Sequence, residues 1–162
     1  MHWTGPLDHE QLSCLSATRG SYALFLQLPE AICLAVGRLG TFNFHAGVYV
    51  YLGSANGPGG LRARLAHHAR IAAHPHWHLD YFRPYARITG GLVEEGTWPG
   101  ALPLECAWSQ QLLRLPGVRP AAPGFGSADC RSGCPAHLLW QPNDLQIPDM
   151  LQLYSNHYLN KR

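Results

Sequence analysis

A chain of 162 residues fits one domain and leaves little room for a second. Its 46% hydrophobic content excludes wholesale disorder, and a formal net charge of +2 is too mild to mark a nucleic-acid binder by itself. Five cysteines without small-disulfide spacing, no signal-peptide pattern and no apolar stretch of about 18 residues lead us to expect a soluble cytoplasmic protein that makes no membrane contact.

Residues 1–19 read as a lead-in with one short helix around His9–Leu15. Ser21–Leu28, rich in aromatic and aliphatic residues and stopped by Pro29, is a predicted strand, and Ala31–Val36 is a second, ending at Gly37. Thr41–Phe44 is a third short strand or a loop, and Val48–Leu52 is a strand by its β-branched and aromatic residues. An antiparallel sheet is the simplest arrangement of these pieces. Gly53–Gly60 is a turn-rich loop. A helix over Leu61–Ala73 follows, with Leu61, Leu65, Ala69 and Ala72 on its buried face. Arg64 and His68, four apart, share a neighbouring face. A strand near Tyr85–Ile88 and a helix over Leu104–Leu115 come next, the latter with Leu104, Trp108 and Leu112 as its apolar stripe. No repeat, heptad or linker divides the chain, so residues 20–140 are expected to form one domain, with 141–162 packing on it as an extension.

Of the twelve basic residues only Lys161 is lysine, and the rest are arginines whose planar forks suit phosphate. A GC-rich coding sequence accounts for that bias equally well. The order of the motifs says more. Gly20-Ser21-Tyr22, then Tyr51-Leu52-Gly53, then Gly60-Leu61-Arg62-Ala63-Arg64 with His68, then Glu105 opening a helix, resembles a GIY-YIG nuclease. The run Gly47–Ala55, the block His76–Tyr81 and Phe125–Cys130 resemble the Uri-type endonuclease branch. The match spans roughly residues 18–140. It departs from the pattern at Ser21, where the family name has Ile, and in the longer spacing between the tyrosines, which Pro29–Gly47 fills as an added strand or loop.

The resemblance implies an α/β (α+β) fold, a small central antiparallel sheet flanked by helices, and a metal-dependent endonuclease. It implies Tyr22 and Tyr51 as base and support, Arg64 on the phosphate, His68 assisting, and Glu105 holding Mg2+ or Mn2+. Gly53, Ser54, Arg62, His76, Trp77, His78 and Asp80 are the expected substrate contacts. The expected partner is nucleic acid, DNA before RNA, and the expected state is a monomer or weak dimer.

These residue types also suit the chemistry on their own terms. Phosphodiester hydrolysis needs an activated water and positive charge around the phosphate. Glu105 is the only acid between Glu95 and Asp129 and is flanked by Leu104 and Cys106. It could bind a hard cation or simply be a first-turn acid favoured by the helix dipole. A phenol with an ordinary pKa near 10 needs neighbouring charge to act as a base, and strand tyrosines are commonly plain core residues. Tyr49 shares the face of Tyr51 and is expected in the core or behind the site. Residues 61–87 hold five arginines, five histidines and one acid, Asp80, with Trp77, Tyr81 and Tyr85 available for stacking on bases. A solvated helix face explains the same composition.

His76, His78 and Asp80 would share one face of an extended segment, either as metal ligands or as the polar side of an amphipathic strand. Cys130, Cys134 and His137, with Cys106 or Asp129 as a fourth ligand, form a candidate zinc set whose spacing matches no established zinc pattern. Small buried cysteines account for it as well. A nucleic-acid-binding module without cleavage and a zinc-stabilised interaction protein are the alternatives.

Overall fold

The computed structural model describes residues 1–141 and Leu151. In chain order its elements are β1 (His2–Thr4), α1 (His9–Cys14), β2 (Gly20–Leu28), β3 (Ile32–Val36), β4 (Gly40–Phe44), β5 (Gly47–Ala55), α2 (Gly60–Ala69), α3 (His78–Phe82), β6 (Arg87–Glu95), α4 (Leu104–Leu112), β7 (Arg119–Pro120) and β8 (Leu138–Gln141). Six strands form an antiparallel sheet in the order β1-β6-β2-β5-β8-β7, and β3 pairs with β4 as a separate hairpin. The fold is α+β.

Side chains that alternate along a strand divide between two faces, and β2 is covered on both. Tyr22, Leu24, Leu26 and Leu28 enter one apolar layer with Leu61 and Leu65 of α2, Leu79 and Phe82 of α3, and Phe44 of the hairpin. Ala23 and Phe25 enter the other, with Leu104, Trp108 and Leu112 of α4. Each fully buried leucine stabilises the fold by about 1.5–3 kcal/mol relative to an exposed one. Leu151 is buried in the second layer, and the other residues of the expected C-terminal extension after Gln141 lie outside the described residues. No helix among the described residues is long and apolar enough to cross a membrane.

The long spacing between Tyr22 and Tyr51 does not separate them. β2 and β5 pair without a break from Gly20↔Ala55 to Leu28↔Gly47, so the β3–β4 hairpin springs from the far end of that ladder. The loop expected from Gly53 begins three residues later, because Gly53, Ser54 and Ala55 still pair with β2. Helix α2 stops at Ala69 rather than Ala73; beyond it Ile71 is 56% exposed, so no buried face holds a further turn. Helix α4 likewise ends at Leu112, short of Leu115.

The strand expected at Tyr85–Ile88 is β6, running on through Gly90 and Gly91 to Glu95. Those glycines admit β1: a Cβ at Gly90 would lie 2.8 Å from the Trp3 carbonyl oxygen, and one at Gly91 would collide with the Trp3 ring. The segment carrying His76, His78 and Asp80 is not extended throughout, since α3 begins at His78. The three side chains therefore part: His76 is exposed, His78 is half-buried and Asp80 is buried.

Candidate active site

Strand β8 covers β5 only from Val48 to Tyr51. Past that point the β5 edge has no strand beside it among the described residues, and the Leu52 amide donates to the His137 carbonyl instead. An open cavity of about 570 Å³ wraps this bare edge. Groups from both faces of the sheet reach it: Tyr22 and Tyr51 from the α2 side, Glu105 from α4 on the other.

Tyr22 lies across from Gly53 in the β2–β5 register. A Cβ at Gly53 would sit 2.5 Å from the Tyr22 hydroxyl oxygen, so the ring occupies the space a side chain there would fill. The two tyrosine rings are 6.3 Å apart. The Tyr22 hydroxyl and His68 Nε2 share a hydrogen bond of 2.8 Å. His68 is buried beneath the cavity rather than lining it, and its Nδ1 has no partner.

Burial sets the protonation of this group. It lowers the His68 imidazole to about 3, with the charges of His67 and Arg64 acting in the same direction, so the ring is neutral near pH 7. Burial and then the neighbouring Tyr51 raise the Tyr22 phenol well above its ordinary value, against the pull of Arg64. Burial also raises Tyr51, to about 12, with Arg64 opposing. Tyr49, by contrast, is a core residue: its hydroxyl donates to the His45 carbonyl at 2.6 Å and its ring packs on Phe44 and Phe82.

Arg64 comes from α2 with its guanidinium 4.1 Å above the Trp77 ring, a cation–π contact that holds the charge at the cavity wall. Trp77 is placed by Asp80, whose carboxylate accepts from the His76 and Trp77 amides at 2.9 and 3.0 Å and bonds His67 at 2.8 Å. Burial works to raise the Asp80 carboxyl, but those two amides and the His67 ring outweigh it and hold it low. Glu105 accepts from the Ser21 hydroxyl at 2.9 Å, so the strand residue just before Tyr22 is in contact with the carboxylate.

The cavity thus gathers Tyr22, Tyr51, Arg64 and Glu105, with Gly53, Ser54, His76, Trp77 and His78 also on its walls. Two expected substrate contacts lie elsewhere. Arg62 is exposed and donates to the Leu15 carbonyl at 2.7 Å, tying the lead-in to α2, and Asp80 sits behind Trp77. The sequence singled out the Phe125–Cys130 block, and Asp129 as a possible metal ligand, but no substrate contact on the opposite wall, where Gly126, Asp129, Arg131 and Ser132 line the cavity and the Gly126 amide donates to His78 Nδ1 at 3.0 Å. Arg131 and Ser132, just past that block, carried no sequence signal.

Cys106, Cys130, Cys134 and His137 converge at the edge of the cavity, their donor atoms all within 4.8 Å of one another. They could hold a metal ion, and their soft sulfur and imidazole donors suit zinc rather than magnesium. Of the two alternatives for a fourth ligand, Cys106 is the one in place.

Residues 21–158 match a family described as "Domain of unknown function DUF123". No curated protein and no solved structure matches the chain.

Proposed function

The chain belongs to DUF123, a domain family of unknown function, and from that premise we propose that it is a metal-dependent endonuclease of the GIY-YIG type, acting on nucleic acid and on DNA before RNA. The observation that supports this most is the meeting of two buried tyrosines, a positioned arginine and the Glu105 carboxylate around one open cavity at a bare sheet edge. A binding module would need the arginine and the aromatic surface, but not a carboxylate with no cation of the chain in ion-pair reach among the described residues.

In this reading Arg64, steadied by Trp77, donates to the non-bridging oxygens of the scissile phosphate. A water beside Tyr22 is the nucleophile. As it attacks phosphorus the bond from phosphorus to the leaving oxygen breaks; the water's proton passes to the Tyr22 oxygen while the Tyr22 proton passes to His68, and the leaving oxygen takes a proton from solvent water in the open cavity. The raised phenol and lowered imidazole favour that pair in its neutral form at rest, and no free phenolate is required. Tyr51 presents its hydroxyl to the same cavity as a second contact for water or phosphate.

Glu105 fits a hard divalent cation, because one carboxylate oxygen accepts from Ser21 and the other remains for an ion that keeps most of its waters. When bound there, Mg2+ or Mn2+ supplies charge to offset the negative charge that builds on the phosphate. A reducing cytoplasm completes the reading and agrees with five free cysteines.

The test is incubation of the wild type and Glu105→Ala with labelled single-stranded, duplex and branched DNA and with RNA, in Mg2+, Mn2+ or EDTA. Cleavage by the wild type alone, lost with EDTA, is the expected result. Binding without cleavage in every metal would replace the enzyme with a binding module.

A further inference from the structure

We infer that Cys106, Cys130, Cys134 and His137 hold one structural Zn2+ that clamps the loop before β8 to the first turn of α4 and so fixes two walls of the cavity against each other. The ligands come from separate pieces of chain. Cys106 is the third residue of α4, Cys130 and Cys134 lie on the loop, and His137 immediately precedes β8.

Two of the donor spacings match those of a tetrahedral zinc site, and all four donor atoms lie within 4.8 Å of one another. Cys106 Sγ is 3.6 Å from Cys130 Sγ and 3.7 Å from His137 Nε2. Tetrahedral zinc, with bonds of about 2.3 Å to sulfur and about 2.0 Å to nitrogen, separates its ligands by roughly 3.5–3.8 Å. The same 3.6 Å is far longer than the roughly 2.05 Å of a disulfide, and all three thiols are free.

The groups behind the ligands point the same way. The His137 amide donates to the Phe125 carbonyl at 2.7 Å, which ties this ligand to the start of the loop that carries the two cysteines. The Cys130 amide donates to the Ser127 carbonyl at 3.0 Å, a turn that fixes this ligand on the loop. Gly133, at φ +72°, makes the turn that brings Cys134 back to the cluster. Cys106, Cys134 and His137 are 3%, 8% and 7% exposed. Four protein ligands in so closed a setting leave no open coordination position, which is the structural rather than the catalytic pattern.

The consequence for the cavity follows from what flanks each ligand. Glu105 precedes Cys106 on α4. The loop carries Asp129 and Arg131 on the cavity wall, and Gly126 packs so closely that a Cβ there would lie 2.9 Å from the Tyr51 ring. Zinc binding itself does not depend on the nuclease reading; only its value for cleavage does.

The experiment is metal analysis of the purified full chain, followed by zinc removal and reconstitution with Co2+. Close to one zinc per chain is expected, released when the thiols are modified with an organomercurial. The cobalt form is expected to show intense tetrahedral bands with thiolate charge transfer, reduced in Cys130→Ala. Hydrogen exchange of residues 126–134 should slow at least about tenfold when zinc is restored. Glu105→Gln should keep its zinc whether or not the chain cleaves nucleic acid. Reconstitution that leaves less than about a tenth of an equivalent of zinc, or a weak octahedral cobalt spectrum, overturns the site. Unchanged exchange in the loop overturns the clamp. The wild-type cobalt spectrum decides even where Cys130→Ala does not fold.

Discussion

Acidification should destabilise the protein through His68. In the folded chain burial, followed by the charges of His67 and Arg64, lowers the imidazole from 6.5 to about 3. The unfolded chain therefore takes up a proton at a pH where the folded chain does not. The stability linked to this residue is complete above the unfolded value and is lost as pH falls from about 6.5 toward about 3. From about pH 7 to about pH 5 the loss is about 2 kcal/mol, worked from the difference between the two values at about 1.36 kcal/mol per pH unit. With a urea dependence of about 2 kcal/mol per molar, the unfolding midpoint should drop by about 1 M. Burial also lowers His78 and His137, so the informative quantity is the wild-type change minus that of His68→Gln. Equal pH dependence in the two proteins would refute a neutral, proton-resisting His68 and with it the proposed Tyr22–His68 pair.

Three further substitutions separate architecture from function. Gly53→Ala places a methyl group against the Tyr22 hydroxyl and should cost about 1–3 kcal/mol in urea unfolding; an unchanged midpoint would show that the ring moves freely. Trp77→Leu removes the face under Arg64, worth about 0.5–1 kcal/mol, and should raise KM for nucleic acid at low salt with little change in stability. Arg62→Gln loses the bond to the Leu15 carbonyl and should destabilise by about 1 kcal/mol while nucleic-acid affinity and cleavage stay unchanged. A marked fall in affinity would return Arg62 to the substrate surface.

Local pattern made the central strands legible, because Ser21–Leu28 is largely aliphatic and aromatic, Val48–Leu52 is β-branched or aromatic at all but its last position, and β2 is buried on both faces. It failed where a residue serves a distant partner. The strand expected near Tyr85–Ile88 runs on through Gly90 and Gly91, whose missing side chains make the slot for Trp3, a contact between residues more than eighty positions apart. The alternation of His76, His78 and Asp80 suggested an extended segment, but Asp80 caps the start of α3 and breaks the pattern. Arg62 and Arg64 look alike in sequence, and only the fold turns one toward Leu15 and the other toward Trp77. The cysteine cluster was half visible: Cys130, Cys134 and His137 are near neighbours, whereas Cys106 joins them only when α4 packs across the sheet.

The most direct test of the central reading is the single-turnover rate of phosphodiester cleavage by the wild type and Glu105→Gln at matched nucleic-acid occupancy. At least about a hundredfold loss of rate is expected in the variant, with affinity unchanged within about threefold. Equal rates in the two proteins, or a rate in the wild type that survives EDTA, would contradict it.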